Sequence, residues 1–204
     1  MAVTNSHKQR LKPRIQEVAM RRFFERGIRA VKMDDIANEL SISKRTLYEI
    51  YADKEQLLLE GIQNLHNERH REMVAFSKKD GVTVMDIIIS FYHHQIKMAK
   101  IIHPLFYADI GKYSRVVKYF EDIRDERRVS TESFFRRGVA EGFFRPDVDY
   151  RVILDIDYIF DKLIAESVIR QKYSPSEIFK NIVVVYIRGF CTPKGVKILD
   201  SQHI

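Results

Sequence analysis

Residues 33–54, M-D-D-I-A-N-E-L-S-I-S-K-R-T-L-Y-E-I-Y-A-D-K, spell out two short helices meeting at a steep angle. Ile36, Ala37 and Leu40 share one face of the first helix. Ile42 plugs the turn, and Leu47 and Ile50 supply the inward face of a second helix that opens at Ser43. Ala37 suits the crossing because two steeply packed helices need a residue without bulk at their contact. Such a pair is a helix-turn-helix, whose second helix enters a DNA major groove while the first lies across the backbone. The residues left facing outward are Ser43, Lys44, Arg45, Thr46 and Tyr48, all hydrogen-bond donors or cations. Core packing alone explains the apolar spacing but not that surface.

The charge distribution agrees. The 204 residues carry a net charge of +7, and residues 1–54 hold 12 Lys/Arg against 7 Asp/Glu, while the remainder holds 23 against 21. The excess that favours an acidic partner therefore sits on the quarter of the chain with the two-helix motif. From Pro13 a helical period runs through Ile15, Val18, Ala19, Phe23 and Phe24, with Gly27 suited to end it. Residues 1–12 are basic and lack an apolar period, so a mobile arm is expected there, a solvated tail in preference to a minor-groove contact. Asp53 followed by Gln56 is a capping-box signature that starts a long helix reaching Phe76. Lys54 stands at the positive end of that helix and is expected to clamp a phosphate.

Beyond Gly81 no strand-like alternation persists. Helices are predicted at 83–101, 104–111, 115–141, 149–171 and 175–191, so the fold class is all-α. The last two are apolar almost all round, and a small domain can bury such helices fully only against a second copy of itself. Ile156, Phe160, Ile182, Val183, Tyr186 and Phe190 are the expected homodimer interface residues. A dyad would present two recognition helices to a palindromic operator in double-stranded DNA.

The stretch from Ile15 to Leu58, with F-F-E-R-G-I, M-D-D-I-A-N-E-L and T-L-Y-E-I-Y-A-D-K-E-Q-L, resembles the tetracycline-repressor-like (TetR) transcriptional regulators. The resemblance implies a three-helix DNA-binding domain at 1–54. A long helix would join it to a helical effector-binding and dimerisation domain at 55–204. It implies that Ser43, Lys44, Arg45 and Tyr48 face DNA, that Thr46 and Lys54 hold phosphates, and that a small-molecule effector releases a repressor. Two positions depart from the family pattern. Ser41 stands where glycine is common and must take a left-handed backbone. Val31 and Lys32 stand where a hydroxyl usually caps the second helix, which leaves Lys32 to contact a phosphate through its charge.

Enzymatic signatures are absent: there is no glycine-rich phosphate loop, no H-E-x-x-H and no serine nucleophile elbow, so neither enzyme activity nor a cofactor is expected. His66 and His70 lie four apart but among Asn67, Glu68, Arg69 and Arg71, a solvated face, so no metal is expected. Asp155, Asp157 and Asp161 read as a charged helix face. The single Cys191 excludes an intramolecular disulfide and reads as a buried thiol. With no leader segment, and no apolar run long enough to span a bilayer, a cytoplasmic address without membrane contact is expected. For the effector, Phe91 and Gln95 on one predicted helix and Phe120 and Arg127 on another are the candidate lining, with Gln95 and Arg127 as polar interruptions of apolar stripes. Two other functions fit the same front quarter: an architectural or cell-division DNA binder with a filled core and no effector, and an enzyme or carrier with a vestigial DNA module.

Overall fold

A computed structural model describes residues 5–156 and 172–204. The described residues are helical, with one isolated antiparallel bridge between Phe144 and Cys191. The elements are α1 (Asn5–Arg26), α2 (Met33–Glu39), α3 (Lys44–Ile50), α4 (Lys54–Ser77), α5 (Val84–Ile101), α6 (Pro104–Ile110) and α7 (Ser114–Ala140). A helical turn at 150–156 follows, then α8 over 175–190 and α9 (Pro193–Ser201). The chain gathers into two compact units, Met1–Arg69 with Ile101–Glu121, and His70–Lys100 with Asp122–Ile204.

In the first unit α1 buries Leu11, Ile15, Ala19, Met20 and Phe23, one stripe at helical spacing. The mobile arm expected for residues 1–12 is corrected from Asn5 onward, because α1 continues through Pro13 to that residue. Proline inside a helix removes one hydrogen bond at a cost of about 3 kcal/mol. Tertiary contacts offset this: Leu11 is buried, Lys8 pairs with Glu49 at 3.1 Å, and Lys12 pairs with Glu60 at 2.7 Å. The apolar period was illegible there because three of the four contacts that hold the turns are ionic or cation–π, with Lys12 also lying over the Tyr51 ring. Gly27 ends α1 at φ +82, and a Cβ there would stand 2.8 Å from that of Leu105, so both backbone and space require glycine.

In the second unit the core joins Val84, Met85 and Ile88 of α5 to Phe135, Phe143, Phe144, Phe190, Cys191 and Leu199. Phe135 stacks on Tyr150 with ring centroids 4.6 Å apart, and Phe190 meets Phe144 edge-on at 5.2 Å. Cys191 is a buried free thiol, pushed up to about 11 by burial. α8 is interrupted by a π-helical turn over Phe179–Val183. α9 was not expected from sequence, although Thr192-Pro193 is a helix-start signature: the Thr192 hydroxyl accepts from the Gly195 N–H at 3.3 Å, and proline occupies the first turn. Among the described residues no helix is long and apolar enough to cross a membrane.

Candidate nucleic-acid interface

The geometry of α2 and α3 follows from their caps and their turn. Lys32 precedes α2, and its N–H donates to the Asp35 carboxylate at 2.9 Å while its carbonyl accepts from the Asp35 N–H at 3.1 Å. Asp35 thus supplies the reverse half of a capping box, while its own N–H, which a hydroxyl at position 32 would have accepted, goes to the Lys32 carbonyl. Ser41 takes φ 52, the left-handed conformation expected of it, and the Ile42 N–H returns to the Ala37 carbonyl at 3.0 Å. Ile36, Ala37 and Leu47 are buried at the crossing. Ser43 caps α3 by accepting from the Thr46 N–H at 3.0 Å, and the two hydroxyls lie 2.8 Å apart.

Ser43, Lys44, Arg45 and Tyr48 are exposed and Thr46 is half-buried, so the five residues form one continuous surface on α3. The Arg45 side chain is 87% exposed, more open than that of Lys44. Lys44 lies over the Tyr48 ring, 5.9 Å from its centroid. Lys32 is exposed at the start of α2, whose first turn is tied to α3 by the Lys44–Asp34 pair at 2.9 Å. A groove-reading helix needs this arrangement: a rigid element, an open cationic and hydroxylic face, and flanking positive charge.

Lys54 behaves differently. Its ammonium turns inward and donates to the carbonyls of Ile28 and Val31, each at 2.9 Å. Burial holds it below its ordinary value, against the pull of Asp109. Asp109, itself buried, accepts from the Arg29 N–H at 2.8 Å. The two charges therefore fasten the α1–α2 loop from either side, and the phosphate clamp expected of Lys54 gives way to a positioning role. Sequence reading also missed Lys8, Asp34 and Glu49, because ion pairs between helices leave no trace in apolar periodicity.

Of the expected effector residues, Phe91, Gln95 and Arg127 belong to the second unit. Val84, Met85, Ile88 and Tyr92 form the buried stripe of α5, which leaves Phe91 40% exposed against Phe179, with ring centroids 5.8 Å apart. Gln95 is half-buried. Arg127 is also half-buried, and its charge, after burial, helps hold His70 below its ordinary value. Phe120 is 40% exposed and belongs to the first unit, beside Tyr119. Of the expected dimer residues, Phe190 is corrected: it is buried in the second unit's own core. Tyr186 packs against that core and donates to the Ile153 carbonyl at 3.3 Å, while Ile156, Ile182 and Val183 are partly exposed. Phe160 lies outside the described residues, as do Asp157 and Asp161, whereas Asp155 pairs with Arg128 at 3.0 Å. His66 Nδ1 lies 3.0 Å from the Tyr119 hydroxyl, and no group of three metal-ligating side chains occurs among the described residues.

Residues 15–60 match the profile of the bacterial regulatory proteins of the tetR family. The HTH-type transcriptional repressor KstR2 of Mycobacterium tuberculosis is 28% identical over 154 residues, 70% of this chain and 76% of that protein. Among solved structures, a TetR-family transcriptional regulator from Agrobacterium tumefaciens superposes with a TM-score of 0.65 at 14% identity, covering 91% of this chain and all of that one. A transcriptional regulator from Saccharomonospora viridis, solved in complex with choline, superposes with a TM-score of 0.60 at 18% identity over 85% of this chain and 97% of its own.

Proposed function

This chain belongs to the tetR family of bacterial regulatory proteins and is a DNA-binding transcriptional regulator, and we propose that it works as a homodimeric repressor released by a small molecule. The observation that carries the reading is the exposed face of α3, with Ser43, Lys44, Arg45 and Tyr48 turned outward from a helix whose other side is locked by Leu47. Arg45 and Lys44 are assigned to base edges, where a guanidinium can fork onto guanine O6 and N7. Lys32, Thr46 and Tyr48 are assigned to phosphates, which fix register. Residues 1–54 act as the DNA-binding module and 55–204 as the effector and dimerisation part. Dimerisation through Ile156, Phe160, Ile182, Val183 and Tyr186 would set two copies of α3 about 34 Å apart, one turn of duplex. Repression is supported by the KstR2 relatives, and small-molecule control by the choline complex of the Saccharomonospora viridis regulator. Gln95 and Arg127 are the polar groups assigned to the effector, whose binding shifts the population toward a conformer that no longer matches successive grooves. Such a regulator acts beside DNA in the cytoplasm and uses no catalytic machinery.

Titration of duplex binding against salt tests the reading. Phosphate-dominated binding gives a steep log–log decline, and a flat plot refutes it. Arg45→Ala should weaken a selected operator by about 1–3 kcal/mol while random duplex loses much less. Equal losses on both would make Arg45 a phosphate contact.

A further inference from the structure

The two cations assigned to base edges are each held by a carboxylate of the same module. Lys44 Nζ lies 2.9 Å from one Asp34 oxygen and 3.0 Å from the other, with Asp34 in the first turn of α2. Arg45 Nε donates to one oxygen of Glu49 at 3.1 Å. The second oxygen of Glu49 takes Lys8 Nζ, also at 3.1 Å, from the first turns of α1. These pairs perturb the groups that form them. The bond to Asp34 pushes Lys44 above its ordinary value, and the bonds to Lys8 and then Arg45 hold Glu49 below its own. Other cations of the module are arranged differently: Arg10 and Arg14 are exposed on α1 and carry no ion pair among the described residues.

Exposed ion pairs of this kind stabilise a fold by little. Their consequence for DNA is larger. A cation gains affinity for any duplex by replacing counterions at a phosphate, irrespective of sequence. A carboxylate 3 Å away is already an internal counterion, so a phosphate must displace it and then face its negative charge. A guanine edge presents neutral acceptors and suffers that repulsion far less. Glu49 holds Arg45 through Nε, which leaves the two terminal nitrogens, the pair that forks onto guanine, without a bond among the described residues.

We infer that Asp34 and Glu49 are specificity-determining residues, which penalise phosphate contact by Lys44 and Arg45 more than base contact and so suppress binding to random DNA. The inference rests on the DNA-binding function proposed above. It concerns the ratio of affinities for matched and unmatched duplex, not affinity alone.

The test uses the full chain and two probes: a duplex enriched by the native protein from a random-sequence library, and a scrambled duplex of the same composition. Asp34→Asn, Glu49→Gln and their combination are compared with Glu17→Gln, which removes one charge from an exposed α1 residue with no ion pair among the described residues. Far-UV spectra and melting curves establish that each variant is folded, and either single variant suffices. The double variant should bind scrambled duplex roughly tenfold more tightly, with a log–log salt slope steeper by about one to two. Its affinity for the enriched duplex should rise no more than about threefold, so the specificity ratio falls while Glu17→Gln leaves it unchanged. Equal gains on both probes, as expected of bulk charge alone, overturn the inference. So does a loss on the enriched duplex with no gain on the scrambled one, which would make the carboxylates mere braces. If the native protein enriches no duplex at all, the DNA-binding reading falls first and takes this one with it.

Discussion

Lys54 shows how little a side chain's type says about its task. A lysine at the positive end of a helix, inside a basic module, has every attribute of a phosphate ligand, and its contacts are with Ile28 and Val31 carbonyls instead. Two carbonyls left without partners in a half-buried loop cost about 1–3 kcal/mol. Lys54→Met should therefore lower the melting temperature by several degrees while leaving the salt slope of DNA binding unchanged. A slope shallower by about one, with unaltered stability, would restore the phosphate role. Arg45 presents the opposite case, an 87% exposed side chain whose purpose is invisible to the folding energetics and evident only from its company on α3.

At the scale of elements, caps define where helices begin, and they do so with whatever residues are at hand. α2 uses Asp35 in reverse, α3 uses Ser43, and α5 uses a reciprocal pair. The Thr83 N–H donates to the Asp86 carboxylate at 2.8 Å, and the Asp86 N–H points back to the Thr83 hydroxyl at 3.3 Å. Hydrogen bonding from the Thr83 side chain and backbone holds Asp86 below its ordinary 3.8. A carboxylate whose folded pKa is depressed adds stability that is fully present above the unfolded value and lost as pH falls through the folded one. Asp86→Asn should accordingly melt lower than the native protein at neutral pH, and the gap should close below about pH 3.8. A gap that persists undiminished in stronger acid would mean that Asp86 acts through geometry alone. The extension of α1 through Pro13 makes the complementary point: contacts with Glu49, Glu60 and Tyr51 outweigh the local preference of the chain.

For the whole molecule, the property to test is the self-association proposed above. α8 turns Val184 and Phe190 inward, while Val185 is 61% exposed and Ile182 and Val183 are partly so, an apolar strip that a second copy would cover in the proposed dimer. The native protein should sediment at about twice its 24.2 kDa. Ile182→Asp with Val185→Asp should shift it to the monomer with helical content intact. Binding to a palindromic duplex should then fall steeply, and binding to a half-site little. Sedimentation of the native chain as a monomer at micromolar concentration would remove the twofold recognition mode.

The front quarter was legible because its determinants are local. Ile36, Ala37, Ile42 and Leu47 are spaced by the geometry of two short helices, Ser41 and Gly27 by the backbone they must adopt, and Ser43 by the cap it supplies. Among the described residues, helix positions in the remainder followed from apolar period and from Pro and Gly breaks, with α9 missed although Thr192-Pro193 announced it; most of the helix expected at 149–171 lies outside the described residues. Partnerships between helices could not be read in this way. Which cations face solvent and which are held by Asp34, Glu49 or backbone carbonyls, which stripe of α5 is inward, and why Phe190 is core and not interface all depend on distances between segments far apart in the chain. A linear pattern records the faces of a helix. It does not record what those faces meet, because packing and electrostatics act through space, not along the backbone.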